Sequence, residues 1–97
     1  NLQVYRYWDE RPQPVVADDP DLPTIVYAVP GREAVFVITS YAEQEVTANL
    51  SVDAKALGFG DGCRLTDMES GESFPLLDGR ATFPLKKHAV REFRIAP

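Results

Sequence analysis

Apolar and polar residues alternate with a period of two over most of the chain from Leu22 onward. Successive side chains of a strand point to opposite faces of a sheet, so this alternation predicts strands with one buried and one solvated face. The run 34–41, AVFVITSY, is apolar at the consecutive positions 35–38, which predicts a central strand covered on both sides or crossing a sandwich core. The alternation is most regular over 45–53, where four apolar residues occupy every second position: Val46, Ala48, Leu50 and Val52.

Turn signals separate these apolar runs. The dipeptides Pro30-Gly31 and Asp78-Gly79 favour tight turns, and the segment 69–72 is typical of a four-residue hairpin connection. Residues 53–58 predict one helical turn, capped by their first aspartate and ended by their last glycine. Six or seven short strands at roughly 8–12-residue spacing predict an all-β fold: a two-sheet antiparallel β-sandwich, Greek-key or immunoglobulin-like, of about seven strands.

The N-terminal segment has a different composition. Residues 9–23 hold four of the eight prolines and five acidic residues, which predicts an extended connection rather than a central strand. Residues 2–8 alternate weakly and fit either a first strand or a lead-in from a preceding domain. We interpret residues 1–97 as a single β-sandwich domain, with 1–22 as an extended lead-in from a preceding domain. Because the chain starts at Asn1 without an initiator methionine, we expect it to be part of a longer protein.

The charge balance narrows the class of partner. Ten Lys and Arg against fifteen Asp and Glu leave a net charge of −5, which argues against nucleic acid and anionic membrane as partners. The end of the chain is locally basic. We interpret its cations as the solvated charges of an edge or terminal strand, with an anion-binding stripe as the alternative. These cations are Lys86, Lys87, Arg91 and Arg94.

No arrangement of residues predicts catalysis. Glycoside hydrolysis needs two carboxylates across a cleft, whereas nearly all acidic residues here fall in predicted turns or on solvated faces. The single histidine, His88, follows two lysines and has no nucleophile motif beside it. The acidic stretch 18–21 lacks the remaining ligands of a calcium loop, and the single cysteine, Cys63, fits a buried strand position. We therefore predict no catalytic residue, no metal site and no cofactor, and expect the chain by itself not to be an enzyme.

The aromatic cluster near the N-terminus is the one candidate for ligand binding. Tyr5, Tyr7 and Trp8 lie within four residues, and exposed aromatic rings stack on the apolar faces of sugars. Strand alternation would place Tyr5 and Tyr7 on one side and Trp8 on the other. The alternative is that Trp8 packs on the core or against a neighbouring domain.

The order of these features resembles the C-terminal all-β domain that follows the catalytic barrel in many (β/α)₈ glycoside hydrolases, including α-galactosidase-like and α-amylase-like enzymes. The resemblance covers about residues 5–96. It rests on the pair Tyr7-Trp8, the apolar strand 34–41, Leu57-Gly58, the acidic hairpin 67–72 and the basic-apolar run 90–95.

The resemblance implies a function without catalysis. In that family the domain holds no catalytic residues; it would pack against the catalytic domain of the same parent chain and stabilise it. A secreted or periplasmic location is slightly favoured on the same ground. Two alternatives stay open: a carbohydrate-binding module that uses Tyr5, Tyr7 and Trp8, and an immunoglobulin-like protein-interaction domain.

Overall fold

The computed structural model of the protein describes residues 1–97 and contains nine β-strands and no α-helix. The strands are β1 (Gln3–Arg6), β2 (Val15–Ala17), β3 (Thr24–Val29), β4 (Glu33–Thr39), β5 (Val46–Val52), β6 (Arg64–Asp67), β7 (Ser73–Pro75), β8 (Arg80–Leu85) and β9 (Val90–Ala96).

The strands form two sheets in which every neighbouring pair is antiparallel. One sheet has six strands in the order β1-β3-β4-β9-β6-β7, and the other has three in the order β2-β5-β8. The predicted two-sheet antiparallel β-sandwich is confirmed. The structure has nine strands where about seven were predicted, because the short strands β1 and β2 lie in the segment expected to be a lead-in.

The core lies between the two sheets and takes alternate residues of most strands, while the edge strands β1 and β7 contribute no fully buried residue. In β5, residues 48, 50 and 52 are buried while residues 47, 49 and 51 are exposed, as the period of two predicts. Three phenylalanines join the layers: Phe36 and Phe93 of the six-stranded sheet stack at 5.3 Å between ring centroids, and Phe83 of the other sheet lies 4.7 Å from Phe93. All three are fully buried, so the aromatic contacts hold the two sheets together.

Residues 1–22 belong to the sandwich and are more than a lead-in. β1 pairs with β3, and β2 pairs with β5, so both strands lie at sheet edges. Val15 and Leu22 are buried in the core, and the Thr24 hydroxyl donates a hydrogen bond to the Val15 carbonyl. Prolines are compatible with strands here because an edge strand needs ladder hydrogen bonds on one side only. The Pro14 carbonyl accepts a hydrogen bond from the Asp53 amide.

The last strand, interpreted from the sequence as an edge or terminal strand, is the C-terminal strand of the chain but lies in the interior of its sheet. β9 lies between β4 and β6 and pairs with both. Its alternation puts Phe93 and Ile95 in the core and leaves Arg94 exposed, as expected for a solvated cation. Arg91, however, shares the inner face with Phe93, so only part of the predicted basic stripe faces solvent.

Residues 53–58, predicted to be one helical turn, form a hydrogen-bonded turn that is not a helix and that docks onto the β3–β4 turn. Asp53 Oδ1 accepts a hydrogen bond from the Ala56 amide at 3.0 Å, as a capping residue does. Gly58 ends the turn with a φ of +82°, and the Gly31 amide donates a hydrogen bond to the Leu57 carbonyl at 2.8 Å. The two loops therefore contact each other through their backbones.

Candidate functional site

The three candidate aromatic residues are separated by the end of β1. β1 stops at Arg6, whose carbonyl accepts a hydrogen bond from the Asp9 amide and whose amide donates to Asp9 Oδ2. Tyr7 and Trp8 therefore lie together in a turn, instead of on opposite sides of a continuing strand. Tyr5 stays on β1, packs partly against the core and has the Arg11 guanidinium 4.1 Å above its ring.

Tyr7 and Trp8 form an exposed aromatic pair. Tyr7 is 54% exposed and Trp8 is 60% exposed, and their ring centroids lie 4.8 Å apart with the ring planes at 89°. Two perpendicular rings do not form one flat surface, so only one of them at a time would stack on the face of a sugar ring. The structure thus brings together two of the three predicted residues, in an edge-to-face arrangement.

A polar cluster with three hydrogen bonds centres on Arg91, which the sequence interpretation placed in solvent. Its Nε donates to Asp67 Oδ2 at 2.7 Å, its Nη2 to Glu72 Oε1 at 3.1 Å, and its Nη1 to the Pro84 carbonyl at 3.1 Å. The guanidinium also lies 4.8 Å from the centroid of the Phe93 ring. One side chain therefore connects the ends of β6, β7 and β8 to the start of β9.

The partner carboxylate, Asp67, is only 5% exposed and has both oxygens occupied. Its Oδ1 accepts hydrogen bonds from the Glu69 and Ser70 amides at 2.8 and 2.9 Å, while Oδ2 binds Arg91. Desolvation alone would raise the pKa of Asp67, but the hydrogen bonds from Ser70, Arg91 and Glu69 outweigh it and lower the pKa below its ordinary value. A general acid needs a raised pKa and a free proton site, so this carboxylate is suited to structure and not to proton transfer.

This cluster leads to a pH-dependent prediction. Because the pKa of Asp67 is lowered on folding, its stabilising contribution is complete above the ordinary pKa of 3.8 and is lost as the pH falls through the lower folded-state value. We expect Asp67→Asn to lower the free energy of unfolding by about 2 kcal/mol at neutral pH, and by much less at about pH 2. Urea unfolding at both pH values measures the difference.

Asp61→Asn, which changes an exposed loop aspartate, is the matched control and should alter stability by less than about 0.5 kcal/mol at either pH. If the loss for Asp67→Asn were equal at both pH values, the ionised form of Asp67 would not be the stabilising species.

An open groove of about 1120 Å³ runs beside this cluster. Arg91 and Lys86 are its cations, and five of the other ten residues that line it are acidic: Glu45, Asp67, Glu69, Glu72 and Glu92. Two of these carboxylates are bound to Arg91. The groove therefore holds an arginine that is already neutralised from within the domain.

The remaining predicted candidates are separate from one another. His88 lies on an exposed turn, 3.6 Å from Glu43. In the acidic stretch 18–21, Asp19 Oδ1 accepts the Asp21 amide, and Asp18 binds the Asn49 side chain. No group of three or more His, Cys, Asp or Glu side chains is arranged to hold a metal ion. Cys63 is buried as predicted, and burial, followed by the nearby Asp61, raises the pKa of its thiol.

The outer faces of the two sheets differ in polarity. On the three-stranded sheet most outer residues are polar, with Val16 and Pro84 as the exceptions, and Asn49 bridges Asp18 and Thr82 by hydrogen bonds. On the six-stranded sheet six of the nine outer residues of β1, β3 and β4 are apolar, and the other three are Arg6, Glu33 and Thr39. We call this surface the apolar half: Val4, Ile25, Tyr27, Val29, Val35 and Val37. Further across the same face the outer residues become charged or polar, with Glu92 and Arg94 on β9 and Thr66 on β6.

The apolar half was visible in the sequence only in part. Val35 and Val37 fall in the run that predicted a strand covered on both sides, and the prediction is met on the inner face by Phe36 and Ile38. On the outer face nothing in the domain covers them, although both are half-buried by their neighbours. No helix of the structure is long and apolar enough to cross a membrane.

No protein-family profile matches the chain. No curated protein sequence matches it significantly either.

Comparison with solved structures finds the same fold inside larger proteins. The chain superposes on the crystal structure of a variant of AmyP in complex with maltotriose with a TM-score of 0.63 and 14% identity, covering 82% of this chain and 15% of that one. It superposes on an α-amylase from Anoxybacillus with a TM-score of 0.62 and 12% identity, covering 86% of this chain and 18% of that one. This chain thus spans less than a fifth of either protein. At these identities the likeness shows the fold alone.

Proposed function

We propose that this chain is a non-catalytic β-sandwich accessory domain of a larger glycoside hydrolase, where it packs against the catalytic domain and stabilises it. The observation that carries the proposal is the shared fold with a small part of two much longer proteins, of which one was crystallised with maltotriose and the other is an α-amylase. A fold does not by itself imply a function, so the proposal also draws on the site.

The polar side chains of this domain support a structural role. The carboxylate that is most buried, Asp67, is held ionised by Arg91 and two amides. Other carboxylates accept hydrogen bonds from the turns in which they lie, as Asp9, Asp19 and Asp53 do. These carboxylates stabilise local structure, and a domain built in this way contributes stability and contact surface rather than an active centre.

An activity assay tests the catalytic half of the proposal. The isolated 97-residue chain should hydrolyse neither aryl-glycosides nor maltooligosaccharides, whereas the complete product of its gene should hydrolyse a glycoside. Turnover by the isolated chain that a single carboxylate substitution abolishes would contradict the proposal. So would a complete gene product without any glycosidase activity.

A second candidate function is carbohydrate binding, which the exposure of Tyr7 and Trp8 favours. Their perpendicular arrangement argues against a shared stacking surface. Trp8 is the single tryptophan of the chain, so its fluorescence reports on this turn alone.

We expect no saturable change in Trp8 fluorescence with maltotriose up to about 10 mM, which corresponds to binding weaker than about 3 kcal/mol. The same titration with Tyr7→Ala and Tyr41→Ala provides the controls, because Tyr41 is an exposed tyrosine elsewhere in the chain. Saturable quenching that is weakened by Tyr7→Ala and unaffected by Tyr41→Ala would establish the binding-module alternative instead.

A further inference from the structure

The apolar half is exceptional among the exposed sheet surfaces of this domain. An antiparallel sheet of a free domain normally presents polar residues to water, and the three-stranded sheet does so with residues 47, 49 and 51 of β5. The apolar half instead presents six valine, isoleucine and tyrosine side chains in adjacent rows. One row runs Val4, Tyr27 and Val35 across three strands, and the next includes Ile25 and Val37. A contiguous apolar surface of this kind marks an interaction site.

The contact surface is the face of the sheet and not its edge. The free edge of β1, which borders the apolar half, is occupied by the domain itself. Arg11 donates a hydrogen bond to the Val4 carbonyl, and Asp9 binds the Arg6 backbone from both directions. A partner strand would have to displace these groups before it could pair with β1. A partner therefore reaches this region by packing on the side chains of the face.

Three observations indicate what packs on the apolar half: the lengths of the two proteins that share the fold, the position of β1 at its border, and the charge of Arg6. The two proteins that share this fold are more than five times as long as the part that matches, so most of each chain lies outside this domain. A domain joined ahead of residue 1 would sit next to β1, the strand at the border of the apolar half. Arg6 lies in the same row as Ile25 and Val37, is exposed, and its guanidinium forms no ion pair within the domain.

We infer that the apolar half is the surface on which the catalytic domain of the same longer chain packs. The catalytic domain then presents apolar side chains to the apolar half and a carboxylate opposite Arg6. The inference rests on the proposed function and adds to it the face that makes the contact. It also separates the contact from the charged part of the same sheet, where Glu92 and Arg94 lie.

Thiol labelling tests the inference. Tyr27→Cys places a thiol on the apolar half, and Thr47→Cys places one at an exposed position on the outer face of the other sheet. The native Cys63 is buried, and the wild-type chain gives the background labelling rate of that thiol. Each variant is treated with iodoacetamide as the isolated 97-residue chain and as the complete gene product. We expect labelling of Tyr27→Cys to be about tenfold or more slower in the complete product, because an interface core excludes water, and labelling of Thr47→Cys to be unchanged. Val4→Cys serves as a second reporter of the apolar half.

The outcomes separate the inference from the proposed function, because glycosidase activity is measured on the same samples. Glycosidase activity together with equal labelling rates of Tyr27→Cys in both forms would overturn the inference and leave the proposed function standing. Protection of Tyr27→Cys in a complete product without glycosidase activity would support the contact face and contradict the proposed function. Protection of Thr47→Cys instead would overturn the inference in favour of the other face. Protection of Tyr27→Cys in the isolated chain that increases with the concentration of the chain would overturn it in favour of a second copy.

Discussion

Phe93→Ala should lower the free energy of unfolding by about 4 kcal/mol, because it opens a cavity at the centre of the cluster in which aromatic rings from both sheets meet. Phe93 is fully buried, with the ring centroids of Phe36 and Phe83 at 5.3 and 4.7 Å. Its removal also takes away the ring beneath the Arg91 guanidinium. A domain of this length has a total stability of about 5–15 kcal/mol, so the variant is expected to be close to unfolding at 37 °C. Urea unfolding followed by circular dichroism measures the change.

Phe74→Ala is the matched control, since it removes the same side chain from β7, at the edge of the same sheet. Phe74 is partly buried and its ring centroid lies 6.2 Å from that of Phe93. Its loss should cost about half as much, because a partly exposed site can fill with water or relax. An equal or larger cost for Phe74→Ala would mean that the sheets are held together mainly at the edge.

Gly58→Ala should destabilise the domain by about 3 kcal/mol, although it adds only a methyl group. Gly58 has a φ of +82°, where an alanine is strained. A Cβ built there would lie 2.9 Å from Gly31 Cα and closer still to the Gly31 nitrogen. Both are backbone atoms, so the loop that contains Gly58 must move away from the β3–β4 turn. That movement would break the hydrogen bond from the Gly31 amide to the Leu57 carbonyl.

Gly71→Ala separates the two causes. Gly71 has a similar φ of +79°, but a Cβ there would meet no atom within 4 Å. Its substitution should therefore cost only the backbone strain, about 1 kcal/mol. Equal losses of stability for the two variants would show that the close approach of the two loops contributes nothing.

The regular features of the fold follow from local sequence. The dipeptide Asp78-Gly79 predicts a tight hairpin turn, and both residues have positive φ, 53° and 75°, in a turn closed by the pairing of Leu77 with Arg80. The alternation of apolar and polar residues correctly predicts the inner and outer residues of β5 and β8, because each of these strands buries one face only.

What could not be predicted depends on contacts between distant parts of the chain. The strand order makes β9 central, and only this position turns Arg91 toward Asp67, 24 residues earlier in the chain. A local signal existed, because Arg91 shares its alternation with Phe93 and Ile95, but a charged residue at such a position is usually solvated. The predicted placement of Tyr7 and Trp8 on opposite sides of a strand was wrong for a different reason: the hydrogen bonds of Asp9 end β1 early, so the two rings meet in a turn.

Deleting residues 1–97 from the complete gene product tests whether this domain stabilises a catalytic domain without taking part in catalysis. The thermal inactivation half-life of the glycosidase activity is then compared with that of the intact product, together with kcat on the same substrate. We expect the deletion to shorten the half-life by about tenfold or more, because an exposed apolar interface favours unfolding and aggregation, while kcat at low temperature stays within about twofold. An unchanged half-life, or a loss of kcat with the half-life intact, would contradict this stabilising role.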